Sequence, residues 1–167
     1  DQLVEHLSQP GQRVDWIHAH YADAGLVGAL VSQRLGIPLV FTGHSLGREK
    51  QRRLLAGGLD RSQLEQTYAI SRRIDAEERA LAQADLVITS TRQEADQQYC
   101  RYGHFQADQA AVVPPGVDAS RFHPHGSSQE CSAVPSLLQP FLREPDRPPL
   151  LAISRAVRRK NIPALME

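Results

Sequence analysis

The sequence predicts an α/β protein built on a parallel sheet, and three observations predict it. Short apolar runs bounded by glycine, proline or polar residues alternate with longer segments of helical periodicity. The first two runs flank one helix at the spacing of a βαβ unit, which requires parallel strands. A stretch rich in Pro, Gly, Ser and His, from about residue 122 to 149, then separates this pattern from a new strand, loop and helix.

The first strand is expected from Val14 to His18, where the chain alternates and then runs apolar. Asp23 is the expected N-cap of a helix from Ala24 to Leu35, with Leu26, Ala29, Leu30 and Val31 inward and Gly36 as its stop. Pro38 to Thr42 is the second strand. Ligands bind beyond the carboxyl ends of parallel strands, so the loops 18–23 and 43–50 are expected to be neighbours. Glu49 to Ala56 is helix-prone and breaks at Gly57 and Gly58. Ser62 and Glu65 have capping-box spacing, opening a long helix to about Ala84. Leu86 to Thr89 is the third strand; Ser90 with Gln93, or Thr91 with Glu94, caps a helix to about Tyr102. Ala111 to Val113 is the fourth strand, stopped by Pro114 and Pro115. After the irregular stretch, with its short apolar patch at Val134 to Phe141, Leu150 to Ser154 reads as a strand and Ile162 opens a helix. Residues 1–120 therefore read as the C-terminal part of one domain, 121–148 as a linker or irregular excursion, and 149–167 as the start of a second domain. The alternative is one continuous sheet with a ragged insertion. The chain starts at Asp1 without Met and stops inside a helix, so both ends are expected to be truncations.

Composition narrows the function. Nineteen acidic residues balance 19 basic ones, so no global field selects nucleic acid or an anionic membrane as a partner. No apolar run approaches the ~20 residues of a membrane span. Cys100 and Cys131 belong to no CxxC pair and are expected as reduced thiols of a cytoplasmic protein. His18 and His20 share one strand face, but no third metal ligand accompanies them.

Three segments remain as candidate chemistry. In Thr42 to Lys50, glycines flank His44 and Ser45 at a strand end, Gly43 and Gly47 permit close backbone approach, and Lys50 follows where an ammonium meets a phosphate. A structural histidine in a turn fits the same spacing. On the long helix, Arg73 lies beside the inward stripe Ile70, Ile74 and Leu81, whereas Arg72 faces water. An inward cation must be paired or hold an anion. Glu77, at i+4, offers the pairing, and the two roles are compatible. Last, Arg155, Arg158, Arg159, Lys160 and Asn161 form a basic loop before a helix N-terminus, which suits a diphosphate or a solvated turn. Tyr21 and Asp23 stand in the first strand-end loop as hydrogen-bonding groups for a polyol.

Taken together, the chain resembles the retaining GT-B glycosyltransferases of the sucrose-phosphate synthase type. The segments that carry the resemblance are His18 to Gly25, Thr42 to Gly47 with Lys50, Arg72 to Ile74 with Glu77 and Glu78, Thr89 to Glu94, Val113 to Asp118, and Ser154-Arg155 with Arg159 to Asn161. The resemblance implies two Rossmann-like domains facing across a cleft, and transfer of glucose from UDP-glucose to fructose 6-phosphate with retention. It implies that Arg155 and Lys160 hold the donor diphosphate, that His44 meets the donor sugar, and that Tyr21, Ser45, Lys50 and Arg73 hold fructose 6-phosphate, the last two at its phosphate. UDP-glucose is then a co-substrate, with no cofactor, no metal and no protein nucleophile. This chain has Ala156-Val157 where the family has Pro-Asp, which affects the placement of Lys160. A glycine-rich loop of the first domain and a glutamate-bearing segment of the second lie outside these residues, so the isolated chain is expected to be inactive. Two other functions share parts of the pattern: a transferase for another phosphorylated acceptor such as inositol phosphate, and a non-catalytic sugar-phosphate-binding homologue. A dinucleotide-binding dehydrogenase shares the α/β order, but no GxGxxG follows a strand here.

Overall fold

The structure, a computed structural model, describes residues 2–122, 137–144, 147, 152–155, 157 and 160–166. The chain divides into two units, residues 1–117 and 118–167.

In the first unit, strands β1 (Ile17–His20), β2 (Leu39–Thr42), β3 (Leu86–Thr89) and β4 (Ala110–Val112) form one sheet in the order β1-β2-β3-β4. Every pair is parallel, with Ile17 opposite Leu39, Phe41 opposite Val87 and Thr89 opposite Val112. The first strand lies later than expected, because pairing begins where the Ile17 amide donates to the Pro38 carbonyl at 2.8 Å. Val14 to Trp16 have no partner strand beyond that point, and Trp16 is exposed.

Helix α1 (Gln2–Leu7) precedes the sheet. Helix α2 (Tyr21–Leu35) follows β1 directly, three residues earlier than Asp23 as N-cap would allow. His20 is the N-cap in extended conformation, makes no side-chain cap, and hands the chain over through Tyr21 at φ 64°. The inward stripe of α2 is small: Ala22, Gly25, Gly28, Ala29, Val31 and Ser32 are buried. Leu26 is half-buried, and Leu30, expected inward, is exposed. The reason is proximity. A Cβ on Gly25 would lie 2.6 Å from Cε2 of Phe41, so α2 sits too close to the sheet for larger residues on that face.

Helix α3 (Gly47–Ala56) ends at Gly57. The expected long helix is two helices, α4 (Arg61–Tyr68) and α5 (Ile70–Gln83), broken at Ala69 in the left-handed region. The capping box uses Asp60 and Gln63, not Ser62 and Glu65: the Gln63 amide donates to Oδ1 of Asp60 at 2.8 Å, and the Asp60 amide to Oε1 of Gln63 at 3.2 Å. Glu65 instead spans the break, accepting from the Ser71 amide and hydroxyl at 3.1 and 2.9 Å. Ile70, Ile74 and Leu81 are buried as their spacing predicts, and α5 packs against α2. Thr91 caps α6 (Arg92–Gln97), accepting from the Glu94 amide at 3.1 Å, and a 3-10 turn at Tyr99–Arg101 completes the segment expected to be helical to Tyr102. The core gathers Leu39, Phe41, Leu64, Ile74, Leu81 and Tyr99 between sheet and helices.

In the second unit, Asp118 accepts from the Ser120 amide and hydroxyl, at 3.0 and 2.6 Å. Leu137, Leu138 and Phe141, of the expected apolar patch, are exposed. Of the expected strand at 150–154, Leu150 and Leu151 lie outside the described residues. Ala152 to Ser154 are not in a strand, and Ile153 is exposed. A buried strand needs a pairing partner, and the described residues of this unit contain none. Helix α7 (Ile162–Met166) starts where expected.

Candidate active site

The sheet delivers its strand ends to one edge, and the candidate residues of the first unit gather there. β1 ends at His20 and leads into Tyr21; β2 ends at Thr42 and leads into Gly43 and His44. His20 Nδ1 and His44 Nε2 share a hydrogen bond at 2.7 Å, so the two loops are neighbours as the βαβ unit requires. The Tyr21 ring lies 4.7 Å from the His44 ring, centroid to centroid. His18, one turn of the pleat earlier, shares a 2.9 Å hydrogen bond with the Thr42 hydroxyl. Burial, and then the neighbouring His20 and His44, depress its pKa, which favours the neutral ring.

The loop after β2 is tightly turned. The Ser45 amide donates to the Gly43 carbonyl at 2.6 Å, a γ-turn centred on His44, whose φ is 55°. Tyr21 and His44 therefore both hold positive φ, although neither is glycine.

Four side chains pin the loop from outside it. The Tyr99 hydroxyl accepts from the Gly43 amide at 2.7 Å. Glu77, fully buried, accepts from the Gly47 amide with both carboxylate oxygens, at 3.0 and 2.9 Å. Tyr102 accepts from the Arg48 amide at 3.0 Å and donates to Oε2 of Glu77 at 2.5 Å. Burial pushes both phenols above their ordinary range, so they remain neutral. Glu78 takes the Arg48 guanidinium at 2.6 Å and the Gly103 and His104 amides at 3.1 Å each. Burial alone would raise its pKa, but these donors outweigh it and hold the carboxyl at about 2.

Arg73 is half-buried and pairs with Glu77 at 3.1 Å through Nε, while its Nη2 donates to the Ser45 carbonyl. Pairing and proximity to the loop thus occur together. Arg72 is exposed, as its spacing predicts. Tyr21, Asp23, Tyr68, Arg72 and Arg73 line an open cleft of about 750 Å³. Lys50 stands beside it, its ammonium 3.8 Å from the centroid of the Tyr68 ring. Burial first, then Arg73 and Arg53, lower the Lys50 pKa. Among the described residues no carboxylate pairs with this ammonium.

Tyr21, His44, Ser45, Lys50 and Arg73 are thus assembled within the first unit. Arg155 and Lys160 belong to the second, where both are exposed. The Val157 amide donates to the Arg155 carbonyl at 2.8 Å and the Lys160 amide to the Val157 carbonyl at 2.9 Å. Ala156, Arg158 and Arg159 lie outside the described residues. No group of His, Cys, Asp or Glu among the described residues is placed to hold a metal, and no described helix is long and apolar enough to cross a membrane.

Sequence reasoning missed Tyr68, Tyr99 and Tyr102 and understated Glu77. Tyr99 and Tyr102 did carry a signal: phenols at i and i+3 on a helical turn that faces the core need hydroxyl partners.

A family model described as Glycosyltransferase Family 4 matches residues 2–121. The chain belongs to Glycosyltransferase Family 4. It is 38% identical over 191 residues to a protein named sucrose-phosphate synthase from Zea mays, covering 90% of this chain and 18% of the relative. It is 35% identical over 191 residues to sucrose-phosphate synthase 4 from Arabidopsis thaliana, with the same two shares. Among solved structures, the sucrose-phosphate synthase from Thermosynechococcus elongatus superposes with a TM-score of 0.66 at 26% identity, over 98% of this chain and 37% of that one. This family 4 chain is therefore a homologue of sucrose-phosphate synthases that spans about a fifth of its plant relatives. The α/β, GT-B fold class expected from the sequence holds.

Proposed function

We propose that this family 4 chain carries the acceptor side, and the beginning of the donor side, of a retaining glycosyltransferase that moves glucose from UDP-glucose to fructose 6-phosphate, giving sucrose 6-phosphate. The observation that carries the reading is the meeting of Lys50 and Arg73 beside a cleft whose wall includes Tyr21, next to His44. Two cations without a carboxylate for the ammonium suit a phosphate. Tyr21 and Ser45 offer hydroxyls to the sugar ring. His44 is assigned to the donor sugar, and Arg155 and Lys160 to its diphosphate, where their charge stabilises the departing UDP. The names of the plant relatives and of the solved neighbour support this substrate pair. The chain covers 37% of the solved neighbour, which supports the expectation that it is inactive alone.

Lys50 and Arg73 read a phosphate, not the ring that bears it, and this favours a second reading in which the acceptor is another phosphorylated polyol. Product analysis of the full-length protein, with UDP-glucose and a panel of phosphorylated and unphosphorylated acceptors, tests both. Sucrose 6-phosphate as the dominant product supports the first reading, and a different phosphorylated acceptor the second. Equal use of unphosphorylated fructose refutes both. Calorimetry that finds no binding of any nucleotide sugar to the full-length protein makes it a non-catalytic homologue.

A further inference from the structure

We infer that His20 is a positioning residue that locks the His44 imidazole, fixing it as the Nε2–H tautomer so that its Nδ1 presents a lone pair to a sugar hydroxyl. The inference rests on the reading that His44 meets the donor sugar. The two rings are 5.0 Å apart between centroids and their planes differ by 21°, a separation that fits two near-coplanar imidazoles meeting edge to edge through a hydrogen bond. Their facing nitrogens, Nδ1 of His20 and Nε2 of His44, are 2.7 Å apart. A bond between two imidazole nitrogens needs one N–H and one lone pair. If His44 donates from Nε2, both rings adopt the Nε2–H tautomer that a free imidazole prefers. If His20 donates from Nδ1, both must adopt the less favoured one. The first arrangement therefore prevails, and His44 Nδ1 is an acceptor.

The lock is built into the backbone. His20 ends β1 directly opposite Thr42 in register, two residues before His44. The γ-turn then swings His44 back over the strand end, at a positive φ that is uncommon for a residue other than glycine. Tyr21 closes on the His44 ring at 4.7 Å. Consecutive residues at the end of one strand thus hold the ring that follows the next. Nothing in composition or spacing assigned His20 this task; the sequence offered it only as half of a metal pair with His18.

Two measurements test the lock. In the uniformly 15N-labelled 167-residue chain at about pH 8, where a free imidazole is neutral, a trans-hydrogen-bond 15N–15N coupling should link His20 Nδ1 to His44 Nε2, and His44 Nδ1 should resonate in the unprotonated range. Absence of the coupling, or a protonated His44 Nδ1, overturns the inference whether or not the protein is an enzyme. In the full-length protein, His20→Ala should lower kcat about tenfold, the worth of one hydrogen bond, with KM for the phosphorylated acceptor unchanged. His20→Asn, whose amide reaches the position of Nδ1, should restore most of the rate, and His20→Gln, which mimics Nε2, should not. Equal rates in wild type and His20→Ala, or equal losses in the Asn and Gln variants, overturn the positioning role. A full-length protein with no transferase activity but an intact coupling refutes the proposed function and leaves the His20–His44 lock standing.

Discussion

Glu77 should be the residue on which the candidate site depends most for its shape. It is fully buried, and it accepts from the Gly47 amide, the Arg73 guanidinium and the Tyr102 hydroxyl. Glu77→Ala strands two neutral donors in the interior and leaves the half-buried Arg73 guanidinium without its carboxylate. Removing one partner of a buried ion pair costs about 3–5 kcal/mol, and a domain is typically stable by only ~5–15 kcal/mol. The substitution should therefore consume a large part of the chain's stability. Tyr102→Phe removes only the hydroxyl that donates to Glu77 and accepts from the Arg48 amide, a loss of about 1–3 kcal/mol. The two changes share a hydrogen bond, so their effects should not add: without Glu77, losing the Tyr102 hydroxyl should cost at least ~1 kcal/mol less. Urea denaturation of the four members of this cycle, followed by far-UV circular dichroism, gives each term. A Glu77→Ala loss below about 1 kcal/mol, or strict additivity, would show that the carboxylate is not the junction described above.

Glu78 makes a pH prediction. Its folded carboxyl sits at about 2, below its ordinary value of 4.5, so its stabilisation is complete above about pH 4.5 and is lost as pH falls from there towards 2. Wild type should exceed Glu78→Gln in stability by about 1–3 kcal/mol at about pH 6, the partly exposed partners being screened by solvent, and the gap should narrow at about pH 3; a gap independent of pH contradicts the assignment. In the full-length protein, Lys50→Ala and Arg73→Ala should each raise the KM for a phosphorylated acceptor by about 10- to 100-fold, the worth of a charged hydrogen bond. An unchanged preference for phosphorylated over unphosphorylated acceptor in both variants refutes the acceptor assignment. Lys160→Ala should chiefly lower turnover and donor affinity, by about 2–4 kcal/mol in transition-state terms. Wild-type kcat/KM for the nucleotide sugar in that variant removes Lys160 from the donor site.

The sheet was legible where apolar runs are bounded by residues that cannot continue them: β2 between Pro38 and Gly43, β3 between Asp85 and the Thr91 cap. Arg73 was legible because helical spacing alone puts it beside Ile70 and Ile74. Glu77 was only half legible. Its bond to Arg73 is local, but its other donors are Gly47 and Tyr102, 30 and 25 residues away, and no periodicity reports such distances. The start of α2 was missed because a rule that looks for a capping side chain favours Asp23, whereas the strand passes into the helix through a left-handed tyrosine. Of the strand expected at 150–154, the described residues Ala152 to Ser154 are not in a strand: an apolar run states what a segment can bury, and pairing needs a partner that the run does not specify.

The break at Ala69 was invisible for the same kind of reason, and it decides the sign of a simple experiment. Alanine is the best helix former, so the stretch from Ser62 to about Ala84 reads as continuous. In the structure Ala69 has φ 44° and ψ 47°, and the kink leaves Tyr68 against Lys50 and along the cleft. If the residue lay inside a continuous helix, Ala69→Gly would destabilise the chain by about 1 kcal/mol. At a left-handed position, glycine escapes a steric cost of roughly 1–2 kcal/mol and gives back about 0.5–1 kcal/mol in unfolded-state entropy. The net effect is then neutral to stabilising by about 1 kcal/mol, whereas Ala80→Gly, fully buried inside α5 towards its C-terminal end, should lose at least ~1 kcal/mol. Urea midpoints for the two variants separate these cases. Destabilisation of similar size in both would mean that α4 and α5 form one straight helix. Tyr68 would then lose the kink that seats it over Lys50, and the cleft its wall.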